Sequence, residues 1–150
     1  MERAWKRIGC ATAGIAAFLI VGCASAPKAP PQGAMAVPSP RVEETSGVEV
    51  VSLRETAAGR MLDFRYRVVD PEKAAVVLDR GTPAYLIDGA TGARMEIPET
   101  KVGRMRQNTR NPEKGRTYFM LFNTAGRRMS PGDKVTVVVG EHRFENLTVQ

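Results

Sequence analysis

The stretch Met61–Val68, "MLDFRYRV", alternates with a period of two: Leu62, Phe64, Tyr66 and Val68 fall on one side, Asp63, Arg65 and Arg67 on the other. Helical winding would spread these apolar residues around a cylinder. An extended chain collects them on one face, so the segment predicts a half-buried β-strand. "KVTVVV" repeats the pattern with Val135, Val137 and Val139, following the turn signal Ser130-Pro131-Gly132-Asp133. "AYLID", "GATG" and "ARMEI" read as a hairpin with Gly89 and Gly92 in its turn. "VEVVSL", "TYFMLF" and "HRFENLTV" supply further strands, and "KVGRMR" is a candidate for one more.

Seven or eight short strands separated by turns predict an all-β domain, an Ig-like antiparallel β-sandwich over residues 48–150. A small closed barrel is the other architecture such a pattern allows. One helical piece interrupts. In "DPEKAAVVL", Asp70 is placed to cap, Pro71 stands at the first helical position and Glu72 in the first turn, which predicts a short helical crossover. The strand Thr117–Phe122 is apolar on both faces: Tyr118, Met120 and Phe122 on one, Phe119 and Leu121 on the other. One face must enter the core. The other is expected beneath the Asp70–Leu78 segment, and if uncovered, Phe119 and Leu121 form a candidate apolar patch for a partner.

The N-terminal part has a different character. Arg3, Lys6 and Arg7 precede an uncharged, mostly apolar run from Ile8 to Gly22. A bilayer-spanning helix needs about 20 such residues, and this shorter run after a positive start has the form of a secretory signal peptide, residues 1–22. The run ends in Ile20-Val21-Gly22-Cys23, which resembles the lipobox of bacterial lipoproteins, with Ile20 where Leu is usual. The resemblance covers only this N-terminal region. It implies that Cys23 becomes the mature N-terminus and carries lipid, the only attached group expected. It also implies export to the cell envelope, with Ala24 after the cysteine matching sorting to the periplasmic face of the outer membrane. Several acyl chains anchor durably where one chain is marginal. Residues 23–47 then form a tether rich in proline (Pro27, Pro30, Pro31, Pro38, Pro40) that holds the domain away from the membrane. The domain itself resembles, loosely, the Ig-like modules of bacterial lipoproteins.

The chain has two cysteines, Cys10 and Cys23. One falls in the signal segment and the other at the acylation site, which leaves the domain without thiol, disulfide or cysteine–zinc chemistry. No Gly-rich phosphate loop occurs, and His142 is the single histidine, without a GxSxG context for a serine nucleophile. The reading is therefore a binding or scaffolding module with no catalytic residues, a hydrolase being the weakest reading. A periplasmic ligand or copper carrier is the alternative, since thioethers favour Cu(I). Met105, Met129 and His142 are the loop-proximal candidates for it.

Charge gives the other candidate site. The chain carries a net +6 and the excess is local. Lys101, Arg104, Arg106, Arg110, Lys114 and Arg116 face only Glu113 in their stretch, and Arg127-Arg128 make a second basic spot. Such a patch attracts anionic head groups, acidic polymers or an acidic envelope protein. Nucleic acid does not suit an exported, lipid-anchored domain. The six-residue strand between the two spots places them at opposite ends of the domain.

Overall fold

The computed structural model describes residues 44–150. The signal segment, the Ile20–Cys23 motif and the tether up to residue 43 lie outside the described residues, and with them Cys23. Among the described residues no helix is long and apolar enough to cross a membrane.

The structure is mostly β. Strands β1 (Val48–Thr56), β2 (Met61–Val68) and β7 (Thr117–Asn123) form one antiparallel sheet in the order β1-β2-β7. Strands β3 (Ala84–Asp88), β4 (Arg94–Glu96), β8 (Lys134–Val139) and β9 (His142–Thr148) form a second, in the order β4-β3-β8-β9. A two-stranded ribbon, β5 (Glu99–Thr100) with β6 (Gly103–Arg104), stands apart. The expected "KVGRMR" strand is broken: after β6 the chain makes a single bridge, Arg106 to Met120, along the open edge of β7.

The alternation in β2 places Leu62, Phe64, Tyr66 and Val68 in the core. There they meet Leu86, Val137, Val139, Phe144 and Leu147 of the second sheet in one apolar cluster. Aromatic rings carry much of this contact. Phe64 lies 5.8 Å from Phe144 of the opposite sheet and 5.5 Å from Tyr66, which in turn stacks on Tyr118 at 6.2 Å.

Helix α1 (Pro71–Leu78) crosses from β2 to β3. Its first turn is capped as the sequence predicts, Asp70 Oδ1 accepting from the amides of Glu72 (3.1 Å) and Lys73 (3.4 Å). The helix does not serve as the expected cover for the second face of β7. Its buried residues Ala74, Val77 and Leu78 join the same cluster as Tyr118, Met120 and Phe122. Phe119 and Leu121 are half-buried on the outer face, opposite Arg65 and Asp63 of β2. Those two pair at 2.9 Å.

The packed region also extends two residues to the tether side of Val48. Ser46 is fully buried. Gly47, at φ +69°, accepts hydrogen bonds from the amides of Val69 (2.9 Å) and Asp70 (3.0 Å). A Cβ at Gly47 would stand 2.5 Å from the Asp70 carbonyl oxygen, so the chain passes the start of α1 too closely for any side chain.

Candidate anion-binding cleft

A helix end leaves carbonyls without intrahelical partners, and α1 has no basic residue in its last turn to meet them. The segment that follows β6 supplies the partners. Arg106 donates through Nη2 to the carbonyls of Val77 (2.8 Å) and Asp79 (3.0 Å), and through Nη1 to Thr82 (2.8 Å). The amide of Thr109 donates to Leu78 (3.2 Å). On its other side the segment pairs with β7: the amide of Gln107 donates to Phe119 and that of Leu121 to Met105. Residues 105–109 thus join the end of the helix to the edge of a sheet. The basic stretch doubles back beside the middle of β7 where a loop at one end of the domain was expected.

This pinning creates a cleft. A cavity of about 510 Å³ opens between Ala75, Leu78, Asp79 and Arg80 on the helix side and Asn108, Thr109 and Arg110 on the other. A smaller one, about 160 Å³, shares Arg80 and Asn108 and adds Val102, Gly103, Arg104 and Arg106. Gly103 lies beside Arg80 in this lobe, a Cβ built on it standing in ordinary contact with Arg80 Nη2 at 3.7 Å. Arg80, Arg104 and Arg110 form no ion pair among the described residues. The one acid on the lining, Asp79, already accepts with Oδ2 from the amides of Gly81 (2.9 Å) and Thr82 (3.1 Å).

The six cations predicted as a patch therefore divide. Arg104 and Arg110 line the cleft. Arg106 is buried and committed to carbonyls, so it builds the site more than it presents charge to solvent. Burial depresses its pKa, opposed by Tyr66, reinforced by Arg104 and opposed again by Asp79. Its Nε and the Tyr66 hydroxyl are both buried without a hydrogen-bond partner among the described residues, and burial raises the Tyr66 pKa far above the usual phenol value. Arg116 pairs with Glu113 at 2.8 Å and lies over the Tyr118 ring, while Lys101 and Lys114 are exposed away from the cleft lining. Arg80 belongs to the cleft yet stands outside the basic stretch. In sequence it is one cation in a turn, and only the fold brings it to Arg104.

The second basic spot is not a matching pair. Arg127 is consumed by the buried Asp88 (2.5 Å) and by Thr91 Oγ1 (3.0 Å), leaving Arg128 exposed. Of the three copper candidates, Met129 stands in the loop between β7 and β8, as expected, but its side chain is fully buried in the core. Met105 is half-buried beside Leu121, and His142 begins β9 opposite Val139. Among the described residues no group of three or more His, Cys, Asp or Glu side chains is placed to hold a metal ion. No protein-family model, curated protein or solved structure matches the chain.

Proposed function

We propose that this chain is a lipid-anchored module of the bacterial cell envelope, held by Cys23 on a proline-rich tether, whose Ig-like β-sandwich binds an anionic envelope component without catalysing a reaction. The observation that carries the reading is the cleft. Arg80 and Arg110 line the larger cavity and Arg80 and Arg104 the smaller, none of the three paired to a carboxylate among the described residues, beside a segment pinned to both a helix and a sheet. Unpaired guanidiniums on a concave surface attract anions, and Arg pairs with carboxylate or phosphate through two parallel bonds. The Ile20–Cys23 motif supports the anchor.

Two measurements on cells test the reading. Wild-type protein should label with palmitate and stay with membranes, and Cys23→Ala should do neither after processing. Charge reversal of Arg80, Arg104 and Arg110 to Glu should abolish crosslinking to the envelope partner while leaving the thermal midpoint within a few degrees. Labelling of the Cys23→Ala protein would end the anchor reading, and unchanged crosslinking would end the cleft reading.

A further inference from the structure

Resting on that reading, we infer that the ligand is a phosphorylated saccharide, its phosphate in the small lobe and its sugar ring in the large one. The two lobes differ in chemistry. The small lobe presents Arg80 and Arg104, with the carbonyl-bonded Arg106 in its wall and no acidic residue on its lining. Two guanidiniums facing one compact space suit a doubly charged phosphate monoester better than a single carboxylate. The large lobe, about 510 Å³, lies within the roughly 300–1,000 Å³ range of small-molecule sites. Its walls are mixed. Ala75, exposed beside the buried Leu78, offers an apolar contact suited to the C–H face of a pyranose. The exposed Asn108 offers a neutral donor and acceptor suited to its hydroxyls, while the Thr109 hydroxyl is engaged with Asn111. Arg80 and Asn108 belong to both lobes, so head and ring are read at once. A bare anion would leave the large lobe unused, and a neutral sugar would leave the guanidiniums unpaired.

Titration calorimetry of the full chain with glucose 1-phosphate tests this, alongside inorganic phosphate, glucose and galacturonate. Co-sedimentation with phosphatidylcholine vesicles, with and without monophosphoryl lipid A, distinguishes a free sugar phosphate from the same chemistry on a lipid. Glucose 1-phosphate, the lipid A vesicles or both should bind, and Arg80→Gln and Arg104→Gln should each weaken binding about tenfold, the loss of one charge-assisted hydrogen bond. Asn108→Ala should weaken the saccharide ligands and leave any inorganic phosphate binding unchanged. Equal affinity for inorganic phosphate or for galacturonate would overturn the phosphosaccharide class. Binding of phosphatidylglycerol vesicles or polyglutamate alone, sensitive to Arg104→Gln, would overturn it too while leaving the anion-binding function standing. If no anion binds, both fall.

Discussion

Asp88 is a carboxylate held almost wholly out of water, 1% exposed at the end of β3. Burial alone would push its pKa up. Hydrogen bonds from Thr91 Oγ1 and the Ala90 amide, together with the Arg127 charge, outweigh this and hold it below the ordinary carboxylate value. The sign follows. With the folded pKa depressed, the ionised form stabilises the fold at every pH above the unfolded value of about 4, and that contribution fades as the pH falls through the folded value. Asp88→Asn should cost about 2 kcal/mol at neutral pH, the loss of a charged hydrogen-bond acceptor. Its stability should also change less than the wild type's below about pH 4. Urea unfolding at pH 7 and pH 3 measures both, and parallel acid losses in the two proteins would rule out this role for Asp88.

At the scale of elements, the start of α1 is built around one backbone position. The Gly47 carbonyl takes the last amides of the β2–α1 connection, and Lys73 Nζ reaches the Glu44 carbonyl at 2.8 Å. Gly47→Ala must adopt a left-handed conformation and also displace the Asp70 carbonyl, which sits on backbone with little room to yield. A loss of about 3 kcal/mol is expected from strain and crowding together. Ser46→Ala should cost less than half of that by the same urea measurement, and equal losses would show that no special conformation is needed at Gly47. The capping of α1 was legible in advance because Asp70, Pro71 and Glu72 act locally. The partner of its C-terminal end was not, because no residue near Leu78 in sequence says that Arg106 will arrive there.

For the whole molecule the same division holds. Period-two alternation made β2 and β8 readable, since burial on one face leaves its mark on every second residue. It also separated the two faces of β7 correctly, yet it could not tell what lies outside Phe119 and Leu121. That depended on strand register, which sets Arg65 and Asp63 opposite them. The cleft was half visible. Arg104 and Arg110 stood in an evident basic stretch, whereas Arg80 and the buried state of Arg106 depend on the chain folding back along β7. A count of cations gives the sign of a surface, and only topology says which of them face a cavity.

The Arg106 link also bears on how the molecule opens. The guanidinium ties three carbonyls to a segment that is itself bonded to β7, so fraying of the α1 end and peeling of residues 105–109 become one event. Local opening of a stretch held only by its own turn has little free energy to overcome, whereas a linked one opens as a cooperative unit. The amides of Gln107 and Thr109 should therefore exchange with solvent deuterium at similar opening free energies, and Arg106→Gln should raise the exchange of both together. Independent rates at the two amides would mean that the cleft walls move separately. Coupled rates would mean that the empty protein already keeps the cleft shut against rearrangement, so that a ligand meets a formed site.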